Sequence, residues 1–244
     1  MKRFRWFAAL LAVAAMALVA RCIAAADAPA SAILYPTDGC TIKGNLAQIM
    51  AIAPASDAKV AITLDGKPLE IERMAFAPTW AFRDSRLYAT SRPVEPPFAP
   101  LLKDKSGKVL LLAVTKLSPG KHVLALGDSQ IHIIGSDSSE LPKGATIFHE
   151  HQPAEDAAEA LACDKCHAMT GEAPSRVLGI VRVPAACESC HDEVNVQLAH
   201  RHVLDNMKKC TSCHDPHGTT REKLLIAPQE KLCTQCHEGG HSKR

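Results

Sequence analysis

"KCTSCHDPHG", residues 209–218, sets Cys210 and Cys213 with two residues between them, places His214 directly after the pair, and holds His217 three positions further on. The same arrangement recurs as "CDKCH" at 163–167, "CESCH" at 187–191, "CTSCH" at 210–214 and "CTQCH" at 233–237. Two thiols so spaced can form thioethers with the two vinyl groups of a haem, and the adjacent imidazole can then coordinate the iron from one face. The motifs start 24, 23 and 23 residues apart, so this part of the chain repeats one haem-binding unit.

Other readings of paired cysteines fit less well. A zinc site built from four thiolates has no use for a histidine after every pair. A thioredoxin-like redox pair belongs in a βαβ setting, whereas these motifs lie in short polar segments without strand patterning. The expected cofactor is therefore haem c in four covalently attached copies, held by Cys163, Cys166, Cys187, Cys190, Cys210, Cys213, Cys233 and Cys236, with His167, His191, His214 and His237 as proximal ligands. From Ser138 to Arg244 the one aromatic residue is Phe148, and "RVLGIVRV" and "KLLIAP" are too short to bury a core, so four macrocycles are expected to supply it.

Each iron needs a second axial ligand. Six further histidines stand in this half, in four clusters: His149/His151, His200/His202, His217 and His241. One per cluster gives two imidazoles per iron; the expected set is His151, His202, His217 and His241, with His149 and His200 as alternates. Met169 is too close to His167 to reach the opposite face of the same haem. His217, three residues past His214, is expected to serve a neighbouring haem.

The stretch "HVLDNMKKCTSCHDPHGTTREKLLIAPQEKLCTQCHEGGH", residues 202–241, resembles the doubled CXXCH motif of multihaem cytochromes. In that family a histidine precedes the first motif, "CHDPHG" follows, and a leucine-rich spacer leads to the second. The resemblance implies distal-ligand roles for His202 and His217. "HEHQPAEDAAEALACDKCH", residues 149–167, echoes the pattern with a longer gap and no "DPHG" after His167.

The opening residues read as an address. "MKRFRWFAALLAVAAMALVARCIAAADAP" has a basic start, an apolar run and small residues at Ala24 and Ala26, as a cleavable secretory signal does, and its apolar run is short for a membrane span. Removing residues 1–26 leaves 24 basic against 26 acidic residues, so the net charge of +2 becomes −2 and nucleic acid is an unsuitable partner.

Between leader and motifs, "LAQIMAIA", "KVAITL", "KVLLLAVT", "KHVLAL" and "QIHIIG" are short apolar runs separated by the turn signals "LDGKP", "LSPGK" and "GDSQ". They predict a small antiparallel sandwich, and "YPTDGCTIKG" and "LSPGKHVLAL" resemble parts of bacterial immunoglobulin-like or fibronectin-type modules. The segment 77–100 carries five of the 16 prolines and reads as a long irregular loop. Asp65, Glu70 and Glu72 read as solvated charges, His122 and His132 as surface histidines, and Cys40 as a lone thiol, either buried or open to an intermolecular disulfide.

The expected fold is two-part: an N-terminal all-β sandwich, and a C-terminal haem-packed domain of short helices and loops with little regular structure. Its expected boundaries are a signal at 1–26, an immunoglobulin-like sandwich at 27–137 and a tetrahaem cytochrome c domain at 138–244. The expected role is an exported, periplasmic or extracellular electron carrier rather than an enzyme, without a membrane span, active in anaerobic or extracellular respiration. Its expected partners are redox proteins, either other cytochromes or a membrane quinol oxidase system. A multihaem reductase with one open iron, or a self-assembling subunit of an extracellular cytochrome filament, are the competing classes.

Overall fold

The computed structural model describes residues 31–77, 106–137, 141, 143–151, 163–172, 175–181, 185–191 and 210–234. The expected leader and residues 78–100 of the proline-rich segment lie outside these residues, as do His200, His202, Cys236, His237 and His241. The strands are β1 (Ala32–Tyr35), β2 (Cys40–Lys43), β3 (Leu46–Pro54), β4 (Ile62–Leu64), β5 (Lys67–Pro68), β6 (Glu72–Phe76), β7 (Lys108–Lys116), β8 (Gly120–Leu126), β9 (Ser129–Ser136), β10 (Ile147–Phe148), β11 (His167–Thr170) and β12 (Val177–Val181). Two short helices, α1 (Ala185–Glu188) and α2 (Gln229–Cys233), and 3-10 turns at Cys163–Lys165, Cys210–Ser212 and Glu222–Leu224 complete the described structure.

The strands form two six-stranded sheets, ordered β1-β3-β7-β6-β12-β11 and β10-β2-β9-β8-β4-β5. Turn chemistry sets the hairpins where the sequence places them. Asp65 and Gly66 both take positive φ, 52° and 77°, in the two-residue turn joining β4 to β5, where the right-handed strand twist favours that conformation. Gly127 and Asp128 make the equally tight turn from β8 to β9.

Burial follows the pleat. From His122 onward β8 alternates buried and half-buried residues, whereas β7, flanked by β3 and β6, buries the run Leu110–Ala113. Ile49, Ile52, Ile62, Leu111, Leu112, Leu124, Leu126 and Ile133 are among the fully enclosed side chains, each contributing about 1.5–3 kcal/mol by leaving water. The β-rich N-terminal part read from the sequence is thus present, with an aliphatic core. Cys40 lies within it at 0% exposure, and burial first of all pushes its thiol up to about 11, so it is the buried thiol and not a surface one.

The sheets do not stop at residue 137. β10 pairs parallel to β2, and β12 pairs parallel to β6 while β11 closes antiparallel on β12. "RVLGIVRV", too short to make a core alone, supplies β12 and becomes part of a sheet that takes β1, β3, β7 and β6 from the sandwich and β11 from the first motif. The first motif also leans on this core, with Cys163 and Met169 packed against it. Among the described residues no helix is long and apolar enough to cross a membrane.

Three expectations about single residues change. His122 is buried at 8% exposure, with Nδ1 2.7 Å from Asp65 Oδ2 and Nε2 2.8 Å from the Ser118 carbonyl. Asp65 also accepts the Val123 N–H at 2.9 Å, so it is a clamp on the β7–β8 hairpin and not a free charge. Glu72 pairs with Arg176 at 3.3 Å, which ties β6 to the segment leading into β12.

Candidate haem-binding site

A common local fold presents the motif residues. Cys166 N–H donates to the Cys163 carbonyl, Cys190 to Cys187 and Cys213 to Cys210, each at 3.2 Å. Residues three apart in such a turn eclipse one another, so both thiols of a motif project from the same side. In the second and third motifs the turn continues, with His191 and His214 N–H each 2.9 Å from the carbonyl of the first cysteine, so each histidine stands one helical turn beyond that cysteine. In the first motif His167 leaves the turn and opens β11 instead.

Two motif histidines are oriented by a backbone carbonyl on a returning segment. His167 Nδ1 is 3.1 Å from the Gly179 carbonyl in β12, and His214 Nδ1 is 2.7 Å from the Lys223 carbonyl. A carbonyl only accepts, so Nδ1 carries the proton and Nε2 keeps its lone pair for a metal. The backbone is shaped for this. At Gly179 a Cβ would stand 2.3 Å from the Ala168 carbonyl, so only glycine lets β11 and β12 approach this closely. At Lys223 and Leu224, φ of 57° and 55° put two consecutive non-glycine residues in the left-handed region, a cost of about 1–3 kcal/mol each.

Imidazoles from separate segments meet in pairs. His167 and His217 have ring centres 6.1 Å apart at an interplanar angle of 22°, and His151 and His191 have centres 6.0 Å apart at 46°. An iron between two imidazoles would separate ring centres by roughly 6 Å, since each metal–nitrogen bond is about 2 Å and each ring centre lies about 1.1 Å behind its nitrogen. Both pairs have that separation of ring centres.

Protonation favours the same role. Burial, then the nearby His191 and His217, hold His151 below the usual histidine range; for His167 burial lowers the pKa, the Gly179 carbonyl works against it, and His217 lowers it further. A neutral imidazole is the form that binds metal. The thiols gather as well: Cys187 is pushed up to about 11 by burial, then by the Cys210 thiol beside it and by Cys166, so cysteines of three motifs approach one another. Burial likewise pushes Cys163 up to about 11.

Of the residues singled out from the sequence, Cys163, Cys166, His167, Cys187, Cys190, His191, Cys210, Cys213, His214, Cys233, His149, His151 and His217 are described. Between the alternates, the His151 ring faces His191, whereas His149 is engaged through its backbone, exchanging both hydrogen bonds with Thr219 at 2.7 and 3.0 Å. Cys233 ends α2, whose buried Leu232 anchors it.

Sequence reasoning missed the groups behind His217. Asp215 Oδ1 accepts the His217 N–H at 3.0 Å and stands 3.3 Å from its Nδ1, and Asp215 Oδ2 accepts the hydroxyl of Tyr35 from β1. The "DP" of "CHDPHG" was the available signal for Asp215. Nothing local pointed to Tyr35, 180 residues away.

A family model described as the doubled CXXCH motif matches residues 200–241. No curated protein and no solved structure matches the chain. The match supports a multihaem-type cytochrome acting in electron transfer, and the CXXCH motifs imply covalently bound haem c.

Proposed function

We propose that the protein is an exported tetrahaem c-type cytochrome that carries electrons between redox proteins. Haem c, when bound, supplies reversible one-electron chemistry at iron. The chain would hold it through the thioether pairs Cys163/Cys166, Cys187/Cys190, Cys210/Cys213 and Cys233/Cys236, with His167, His191, His214 and His237 on the proximal side.

The observation that carries this reading is the pairing of imidazoles from different motifs. His217 follows the third motif yet faces His167 of the first, and His151, ahead of the first motif, faces His191 of the second. These are the assigned distal partners. His202 and His241 are assigned to the remaining two irons, with His200 as the alternate. The carbonyls of Gly179 and Lys223 fix the tautomers of His167 and His214, and the Asp215 carboxylate stands 3.3 Å from Nδ1 of His217. Because His217 also lies within electrostatic reach of His151, the two pairs are neighbours, and closely spaced haems favour rapid electron hopping.

Burial supports a haem-filled interior. Among the described residues after 150, the buried apolar side chains are Leu178, Ala227 and Leu232, too few to enclose four motifs. The leader at 1–26 supports export to the periplasm or beyond, where the partners would be other cytochromes or a membrane quinol-linked system. The division at residue 137 is one of chemistry, sandwich before and haem after, across sheets that both parts share.

Optical and electron-paramagnetic spectra of the purified protein, recorded through a redox titration, test this. Four low-spin haems are expected, with one turning high-spin in His217→Ala and one in His151→Ala. Four low-spin haems surviving both substitutions would refute the assigned pairs.

A further inference from the structure

The hydrogen-bond chain behind His217 begins in the β-sandwich. Asp215 is 6% exposed, and its two oxygens are divided between two parts of the chain: Oδ2 accepts the Tyr35 hydroxyl, while Oδ1 serves the His217 backbone N–H and lies 3.3 Å from the His217 ring. The Tyr35 ring itself packs 5.6 Å from the His217 ring and 6.2 Å from Phe148. Phe148 fills the space at Gly218, where φ is 134° and a Cβ would meet the Phe148 ring at 2.5 Å. The "DPHG" turn is thus seated on two aromatic residues of the sandwich, one of which also grips its carboxylate.

We propose that Tyr35 is a positioning residue for the distal ligand His217, acting through Asp215, so that the sandwich sets the potential of the haem carried by the first motif. The proposal rests on the reading that His217 ligates the iron opposite His167. Its physical basis is the sharing of one carboxylate. A buried carboxylate 3.3 Å from Nδ1 raises the donor strength of the imidazole through its charge, and a hydrogen-bond donor on its other oxygen draws off part of that charge. With the Tyr35 hydroxyl present the pull on His217 is moderated; without it Asp215 pulls harder and the oxidised iron is favoured.

Two substitutions therefore shift the potential in opposite directions. Tyr35→Phe keeps the ring against Phe148 and His217 and removes the hydroxyl, so one haem potential should fall while all haems stay attached and low-spin. Asp215→Asn removes the charge, so the potential of the same haem should rise. Spectroelectrochemical titration of the purified full-length holoprotein at mildly alkaline pH reads both, with His217→Ala identifying the affected haem as the one that turns high-spin. Opposite shifts at that haem support the proposal. Unchanged potentials in Tyr35→Phe overturn it, as does a shift in the same direction as Asp215→Asn, which a mere loosening of the turn would give. If His217→Ala leaves every haem low-spin, the ligand assignment itself fails and the proposal falls with it, a result distinct from a silent Tyr35→Phe.

Discussion

The sandwich and the motif segments bury different things. In β3, β7, β8 and β9 the enclosed side chains are mostly Ile, Leu and Ala, with His122 and Ser136 the polar ones among them, and hydrophobic burial accounts for most of their order. In the segments around the motifs the enclosed groups include the polar Ser212, Asp215 and Thr219, of which Asp215 accepts the His217 N–H and Thr219 donates to the Arg221 carbonyl. The strands share one aliphatic core, whereas the described motif segments after β12 are tight turns that present thiols and imidazoles.

The sharpest way to break this comparison is to withhold the haem. Produced without the haem-attachment machinery, the chain is expected to keep amide protection in β3, β7, β8 and β9 and to lose it across 185–191 and 210–234, as hydrogen exchange would report. Equal protection in both regions would mean that the motif segments own a sufficient core.

A smaller effect is expected at the seam. Gly179→Val puts side-chain atoms where the Ala168 carbonyl already stands 2.3 Å from a Cβ, so β11 and β12 must part and His167 must lose the Gly179 carbonyl. One low-spin haem should be lost and the others kept; an unchanged spectrum would show that β12 does not orient His167. Within the sandwich, Leu111→Ala should cost about 2–5 kcal/mol in denaturant unfolding of the β signal, with the haem spectrum of the folded protein unaltered. A cost below about 1 kcal/mol would show that the sandwich leans on the haem segments for its stability.

The smallest effect is a dependence on pH. Burial of the His122 ring opposes its charge, but the Asp65 hydrogen bond, the Ser118 carbonyl and the Asp65 charge outweigh it and raise its pKa. A raised folded-state value means that this contribution is complete below the unfolded value of about 6.5 and is lost as pH climbs through the folded one. Thermal stability should therefore decline modestly as pH rises above about 6.5, and His122→Gln should remove that part of the decline. Asp65 moves the other way, held low first by its bond to His122, so its contribution is lost as acid titrates it. A His122→Gln profile parallel to the parent's would contradict the clamp.

What could be read in advance follows from how local each cause is. The Asp65–Gly66 and Gly127–Asp128 turns were legible because positive φ admits few residue types, and the motifs were legible because thioether chemistry fixes their spacing. His122 looked like a surface residue because its partner lies 57 positions away, and Asp65 looked solvated for the same reason. "RVLGIVRV" gave no sign that it would extend a sheet, since a lone five-residue strand gains stability only from its neighbours, here β6 and β11. Tyr35 stands at the head of "YPTDGCTIKG", which gave no sign of its hydroxyl on Asp215. Contacts of that range are fixed by topology, which no window of sequence contains.

The central claim is that the chain holds haem covalently at every one of its four motifs. The most direct test is the intact mass of the purified exported protein after acid–acetone extraction, which strips haem held by coordination and leaves haem held by thioethers. The account expects the mass of the polypeptide from about Asp27 plus four haems; the mass of the bare polypeptide, or of polypeptide with zinc, would contradict it.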